Sequence, residues 1–139
     1  MAEIKISELS IGDWVRYRDA DANVRVSDIY SNGYVFIIGE EDSGISESVN
    51  AHHHIEPIPL TPEILEKNGW SRKNNYGWYL FYDKYIRINI WFDKDRWDIE
   101  VSSEDRRVTY ADITGRGTLH THQLQHALRL AGVEKEIEV

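Results

Sequence analysis

The fold is decided in one stretch, Tyr76–Val101, which reads YGWYLFYDKYIRINIWFDKDRWDIEV and holds more than half of the chain's aromatic residues. Runs of β-forming residues are interrupted at Asp83-Lys84 and again at Asp93–Arg96. A two-residue turn and a four-residue loop at these places predict two consecutive hairpins. The stretch is therefore expected to form a three-stranded antiparallel meander.

The two turns also predict which residues oppose each other. The first sets Tyr79 opposite Ile88, and the second sets Ile90 opposite Ile99; opposed residues share a face of the sheet. The predicted core face is apolar: Tyr79, Phe81, Ile86, Ile88, Ile90, Phe92, Trp97, Ile99 and Val101. The other face is mixed: Trp78, Leu80, Tyr82, Tyr85, Arg87, Asn89, Trp91, Asp98 and Glu100. A slip of one residue would exchange the two faces, so the register decides which of them is buried.

Composition narrows the class of protein. The chain has 139 residues and is 41% hydrophobic, enough for the core of one domain or of two small ones. It has no apolar run of about 20 residues, so no transmembrane helix is expected. The first ten residues, MAEIKISELS, lack the basic and apolar regions of a signal peptide. The absence of cysteine fits a reducing compartment, and we expect a cytoplasmic protein.

The charge is negative and unevenly distributed. The net charge is -8, and residues 1–59 alone contain 11 acidic and 4 basic residues, which gives -7. A nucleic-acid interface is normally basic, so this distribution disfavours nucleic acid and favours a protein or peptide partner. No phosphate-binding glycine loop and no nucleophilic serine motif is present, and we expect no cofactor.

The N-terminal part predicts a small β-structure. Short strands are expected at Trp14–Tyr17, from Val24 with a bulge before Ile29, at Tyr34–Ile38 and at Ile45–Val49, joined by tight turns. Such a series favours a closed barrel. The segments LSIGDWV, VRVSDI and NGYVFI resemble the start of an SH3-like barrel, which implies a binding module for proteins, peptides or nucleic acids. We assign this barrel to residues 1–58.

Residues 59–139 predict an α+β domain, in which the meander packs with two helices. The proline-rich segment Pro57–Leu60 marks the boundary. A short helix begins after Thr61 and ends at Asn68-Gly69, and a C-terminal helix follows a cap at Thr121. A last strand is expected at Arg106–Tyr110, and the later segment Gly115-Arg116-Gly117 is expected to form a loop before the C-terminal helix. The tail after Gly132 is expected to be a short edge strand or to be frayed.

Three histidines form a weak metal-site candidate. His122 and His126 have the spacing of a zinc pair on one helix face, with His120 nearby. The position that carries the general base in zinc hydrolases of that type is Gln123, so the interpretation as a solvated histidine group competes with the metal site. A metal-dependent enzyme that uses these histidines is one alternative function.

Two further polar groups favour structural interpretations. The tract His52-His53-His54 is expected at the end of a strand, where alternating faces keep the three imidazoles apart, with one of them buried. Asp93, Asp95 and Asp98 lack the glycine and the glutamate of a calcium loop, and are expected to form a charged hairpin tip.

The aromatic face of the meander gives the main functional hypothesis, a non-enzymatic binding or adaptor module. Its expected surface consists of Trp78, Tyr82, Tyr85, Arg87 and Trp91, with Trp14, Tyr17 and Tyr34 of the barrel second. The competing interpretation is that the C-terminal helix or the barrel covers this face. A nucleic-acid-binding accessory protein is a further alternative. The oligomeric state does not follow from the sequence.

Three segments carry a family resemblance: ISELSIGDWV at 6–15, EPIPLTPEILEKNGW at 56–70 and LHTHQLQHALRLAGVEKEIEV at 119–139. Together they resemble a group of uncharacterised small proteins carried by bacteriophages and mobile elements of Bacteroidetes bacteria. The resemblance implies a bacterial, intracellular accessory protein, and it implies no catalytic residues.

Overall fold

A computed structural model describes residues 4–139; Met1–Glu3, with which the predicted first domain begins, lie outside the described residues. Over these described residues the fold is mixed α+β and mostly β, with ten strands in two antiparallel sheets and three helices. The chain divides into two units between Ile58 and Pro59. Within the described part, no helix has the length and apolar character needed to cross a membrane.

The first unit contains a five-stranded sheet and one turn of helix. Its elements are β1 (Trp14–Tyr17), β2 (Ala22–Ile29), β3 (Tyr34–Ile38), β4 (Ser46–Asn50), α1 (Ala51–His54) and β5 (Ile55–Glu56). The strand order is β4-β3-β2-β1-β5. Val15, Val24, Val35, Ile37 and Ile55 are completely buried, because alternate residues of the strands face one core.

Two predictions for this unit need correction, and one is confirmed. The predicted closed barrel is not found among the described residues, because β5 has only two residues and pairs only with β1. The tract His52–His54 lies in α1 and not at a strand end, since the Asn50 side chain accepts a hydrogen bond from the His53 N–H and caps a helical turn. None of these imidazoles is buried. The predicted bulge is present between Val26 and Asp28.

The second unit contains the meander, extended by one strand at each side. Its elements are α2 (Pro62–Lys67), β6 (Ser71–Arg72), β7 (Gly77–Tyr82), β8 (Ile86–Phe92), β9 (Arg96–Ser103), β10 (Thr109–Arg116) and α3 (Thr121–Leu130). The strand order β10-β9-β8-β7-β6 follows the chain, so consecutive strands are neighbours and β6 and β10 form the two edges.

The register of the first hairpin differs from the prediction by one residue. The loop has three residues, Asp83–Tyr85, because Asp83 adopts a φ of 54° and its Oδ1 accepts the Tyr85 N–H at 2.6 Å. Trp78 therefore lies opposite Ile90, and Tyr79 lies opposite Asn89. The predicted register of the second hairpin is confirmed. The consequence is that β7 exchanges its two faces: Trp78, Leu80 and Tyr82 face the core, and Tyr79 and Phe81 do not.

The core of the second unit lies between the sheet and α3. Leu124 and Leu128 of α3 are completely buried with Ile88 of β8 and Ile99 of β9, which confirms the apolar stripe predicted for this helix. Trp97 lies so close to Gly115 that a Cβ there would stand 2.2 Å from the indole ring. Glycine at this position is therefore a packing requirement.

Strand β10 lies further along the chain than predicted. It spans Thr109–Arg116, so Gly115 and Arg116 belong to a strand and not to a loop. A bulge between Thr109 and Ala111 shifts the register, after which Ala111, Ile113 and Gly115 turn to the core side. Residues 106–110, predicted to form the last strand, instead form part of the preceding turn and the first two residues of β10.

Both predicted helices are present, and their caps explain their ends. The Thr61 Oγ1 accepts the Ile64 N–H at 3.2 Å, which confirms the predicted cap of α2. The N-cap of α3 is His120, one residue before the predicted Thr121, and the Gln123 side chain accepts the His120 N–H at 2.8 Å.

Two buried amide side chains hold the C-terminal tail. Gln125 of α3 donates to the Lys135 carbonyl at 2.9 Å and accepts from the Ile137 N–H at 2.7 Å. Asn68 donates to the Glu138 carbonyl at 2.8 Å and accepts from the Glu138 N–H at 2.9 Å. Each amide side chain thus gives the tail backbone one donor and one acceptor, as a neighbouring β-strand would. The tail is thus neither the predicted edge strand nor frayed, and Ile137 is buried in the core.

Candidate functional site

The residues expected to form one aromatic surface are divided between two faces of the second sheet. Trp78 is 2% exposed and belongs to the core, and Tyr82 packs against that core. Tyr85 lies in the hairpin loop and is 71% exposed. Arg87 and Trp91 lie on the opposite side of the sheet and are half-buried. Of the five expected residues, only Arg87 and Trp91 lie together on the side of the sheet away from the core.

That side of the sheet, which we call the outer face, combines aromatic, acidic and basic residues. It consists of Tyr79, Phe81, Arg87, Asn89, Trp91, Asp98, Glu100, Asp112 and Thr114. Within this face, the Trp91 ring lies 6.0 Å from the Tyr76 ring and 5.3 Å from the Arg96 guanidinium carbon. These two neighbours hold the indole in a defined position while part of it stays exposed.

A connected polar network crosses the outer face from β8 to β9. The Arg87 Nε donates to the Asn89 Oδ1 at 2.9 Å, and the Asn89 amide donates to a Glu100 oxygen at 3.5 Å. Arg106 reaches the same Glu100 oxygen at 3.4 Å. The Arg87 guanidinium also lies 5.5 Å from the centroid of Phe81, which is 50% exposed. The face is therefore ordered by side-chain contacts before any ligand binds.

Next to Trp91 the outer face carries a pair of carboxyl groups. Partial burial, a hydrogen bond with Asp112 and the negative charges of Asp112 and Glu100 raise the pKa of Asp98 to about 7. The carboxyl pair is therefore partly protonated near neutral pH, and a protonated carboxyl can donate to the neighbouring carboxylate. A cationic group placed here would favour the ionised form and displace that proton.

The same region contains two cavities that meet at Trp91 and Asp98. One has a volume of about 740 Å³ and is lined also by Arg96, Thr114 and Arg116. The other has a volume of about 290 Å³ and reaches Asn89 and Glu100. The larger volume is in the range of ligand-binding clefts. An aromatic ring and charges of both signs line this concave part of the outer face.

The carboxyl pair predicts a pH dependence of stability. The folded-state pKa of Asp98 lies above its unfolded value, so the folded protein holds more protons and this contribution to stability is lost as pH rises from about 4 to 7. In Asp112→Asn the pKa of Asp98 falls, because a charge is removed and an amide donor is gained. We expect the variant to lose less stability than wild type over this pH range, by about 1 kcal/mol after solvent screening.

Urea denaturation of both proteins between pH 4 and pH 8 measures this difference. Asp42→Asn is the matched control, since Asp42 is exposed and lies off the outer face. Parallel curves for wild type and Asp112→Asn would show that the two carboxyl groups do not interact.

The three residues expected to contribute a surface in the first unit do not lie together. Tyr17 is 8% exposed and faces the core; its hydroxyl donates to Glu47 at 2.5 Å, and this bond raises the pKa of Tyr17 to about 12. Trp14 and Tyr34 face the other side, with the Arg25 guanidinium 5.2 Å from the Trp14 ring. Trp14 is level with Ile38, at the opposite end of β3 from Tyr34.

The histidines near α3 form a stack of rings. The His120 and His122 rings lie 5.8 Å apart and nearly parallel, and the His126 ring meets that of His122 at 5.6 Å, edge to face. His122 is 2% exposed. In the described part of the chain, no group of three or more histidine, aspartate or glutamate side chains is placed to hold a metal ion.

Sequence reasoning missed four of the nine residues of the outer face. Asp112 and Thr114 were assigned to no strand, although Asp112, Thr114 and Arg116 alternate with Ala111, Ile113 and Gly115 in the pattern of a half-buried strand. Tyr79 and Phe81 were assigned to the core because the first loop was taken as one residue too short.

No protein-family model, curated protein or solved structure matches the chain.

Proposed function

We propose that this protein is a non-enzymatic binding module whose partner is a protein or peptide, and that the outer face of the second sheet is its binding surface. The accessory role in a bacteriophage or mobile element that the sequence resemblance implies is part of the same proposal. The partner would meet the protein inside the bacterial cell.

The observation that carries the proposal is the environment of Trp91. A tryptophan held between Tyr76 and Arg96, half-exposed and beside a cavity of about 740 Å³, has the features of a residue that contributes most to protein binding. Tryptophan, tyrosine and arginine are the residue types enriched at such positions. The opposite face of the same sheet supplies the core, so this surface lies outside the buried apolar cluster.

Charge favours a protein partner over nucleic acid. Three carboxyl groups, of Asp98, Glu100 and Asp112, lie in one part of the outer face, and the chain has a net charge of -8. Phosphate groups would be repelled there, whereas a lysine or arginine side chain would be attracted. We infer a partner segment with an apolar or aromatic residue for Trp91 and a basic residue for the carboxyl pair.

The first unit is proposed to be a variant of the SH3-like barrel. The strand order β4-β3-β2-β1-β5, with a single helical turn between β4 and β5, supports this assignment. Such units serve as binding modules, which is compatible with an adaptor of two modules. The fold alone selects no ligand, so the proposal rests on the second unit.

Site-specific photo-crosslinking in host cells tests the proposed surface. A photoreactive residue at Asn89 reports on the outer face, and one at Leu130, which is 76% exposed on α3, reports on a surface outside the proposal. We expect a partner adduct from position 89 and none from position 130. Trp91→Ala should weaken that partner's affinity about 30-fold, as loss of a central tryptophan does.

The matched control is Trp14→Ala, which removes a half-exposed tryptophan from the other unit. It should leave the adduct at position 89 unchanged. Equal adducts from positions 89 and 130, or an adduct at 89 that is insensitive to Trp91→Ala, would refute the outer face as the binding surface.

A further inference from the structure

Strand β10 is an unusually long exposed edge of the second sheet. It has eight residues and, among the residues that the structure describes, pairs only with β9. It contains neither proline nor lysine, the residues that commonly protect an edge. The other edge strand, β6, has two residues. The side chains of Asp112, Thr114 and Arg116 are exposed. One edge of the sheet is thus available for pairing and the other is not.

The hydrogen bonds of the following residue show which backbone groups of β10 are free. The Gly117 N–H donates to the Asp95 carbonyl at 2.6 Å, toward β9. Alternate residues of a strand turn their backbone groups to the same side, so Ala111, Ile113 and Gly115 also face β9. The backbone groups of Asp112, Thr114 and Arg116 therefore point away from the sheet. Within residues 4–139, none of the strand's backbone groups bonds to a backbone group outside β9.

The free edge is complementary to itself in one register. If two copies pair antiparallel about Thr114, Asp112 of each copy lies opposite Arg116 of the other, and the two Thr114 residues oppose each other. Opposite charges and threonine pairs in these positions are favourable. All three residues with free backbone groups would then bond directly across the pair. Pairing about Asp112 instead would oppose two carboxylates, which disfavours that register.

We propose that β10 pairs with β10 of a second copy of this chain and joins two second units into one continuous sheet. The second copy would also cover the partly buried side chain of Ile113 on the side of β10 that has no neighbouring strand. It places the outer faces of the two copies on the same side of the joined sheet, since Asp112 and Thr114 belong to both the edge and that face. This pairing does not depend on the proposed partner of the outer face.

Sedimentation velocity of the full chain, from micromolar to several hundred micromolar, tests the proposal. We expect a concentration-dependent dimer, because a single strand pair buries less area than a permanent interface. Asp112→Arg and Arg116→Asp should each weaken the dimer at least about tenfold. The dimer contains the 112–116 pair twice, and either variant places like charges opposite each other in both pairs. The double variant Asp112→Arg/Arg116→Asp restores opposite charges and should restore dimerisation to near the wild-type level.

A second variant tests the backbone pairing without changing charge. Thr114→Pro removes an N–H that faces away from the sheet, so the monomer should keep its fold, as circular dichroism would show, and dimerisation should be lost. A wild type that stays monomeric at every concentration, a double variant that stays monomeric, or a Thr114→Pro protein that still dimerises would each overturn the proposal.

Discussion

Replacing Trp78 by alanine is expected to lower the free energy of unfolding by about 3–5 kcal/mol, the usual cost of removing a large buried aromatic side chain. Trp78 is 2% exposed, lies opposite Ile90 and belongs to the core under α3. The neighbouring change Tyr79→Ala should cost no more than about 1 kcal/mol, because Tyr79 is partly exposed on the outer face. Urea denaturation of both variants measures the difference.

The pair of variants is a test of the register of β7. In the register predicted from sequence, Tyr79 would be the core residue and Trp78 the surface residue, and the order of the two effects would be reversed. Phe81→Ala is a second outer-face control, since Phe81 is 50% exposed and should behave as Tyr79 does. A larger loss for Tyr79→Ala than for Trp78→Ala would show that the hairpin loop has two residues.

The second large effect is expected at Gln125, which holds the C-terminal tail. Gln125→Ala leaves the Ile137 N–H and the Lys135 carbonyl without their partner in a site that is largely buried. We expect a loss of about 2–3 kcal/mol in the free energy of unfolding, because unsatisfied buried polar groups are costly. Hydrogen exchange should show that the Ile137 amide loses its protection while Ile88 in β8 keeps it.

Gln125→Glu is the matched control for the contacts of Gln125 with the tail backbone. Glutamate keeps an oxygen for the Ile137 N–H and loses the donor to Lys135, so its effect on tail protection should be intermediate. Gln123→Ala changes a nearby glutamine that caps α3 and does not touch the tail. If Gln125→Ala left the Ile137 amide as protected as in wild type, the tail would be held by the Asn68 contacts with Glu138 and by the burial of Ile137 and Val133, without Gln125.

The two hairpins show why sequence predicted one register and missed the other. Around Asp93–Arg96, polar and apolar residues alternate on both sides of the loop, and only one register puts the apolar residues on one face. Strand β7 reads GWYLFY, so both of its faces are apolar or aromatic and either register is acceptable. The positive φ of Asp83 then decides the loop length. Aspartate adopts positive φ in some turns and negative φ in others, so its presence in the sequence does not predict the loop length.

Local signals were sufficient for the helices and insufficient for the tail. Thr61 with Pro62, and the periodic Leu124 and Leu128, specify α2 and α3 through contacts within a few residues. The tail depends on Gln125 and Asn68, which lie 12 and 70 residues from their partners. No periodicity or cap motif encodes such a distant amide-to-backbone contact.

The candidate site was predictable only in part for the same reason. Arg87 and Trp91 were assigned correctly to one face because β8 alternates clearly. The pKa of Asp98 is raised by partial burial in the folded sheet and by Asp112, which a separate strand with a bulge brings beside it. The charge of the carboxyl pair is a property of the folded sheet, and the sequence shows only two separate aspartates.

Residue-resolved oxidation by hydroxyl radicals, read by mass spectrometry, tests most directly the central claim that the second sheet has a buried Trp78 face and an accessible Trp91 face. Trp91 is half-exposed, whereas Trp78 and Trp97 are buried. The account predicts strong labelling of Trp91 and Phe81 in the folded protein, with Trp78 and Trp97 protected until it unfolds. Labelling of Trp78 together with protection of Trp91 would contradict it.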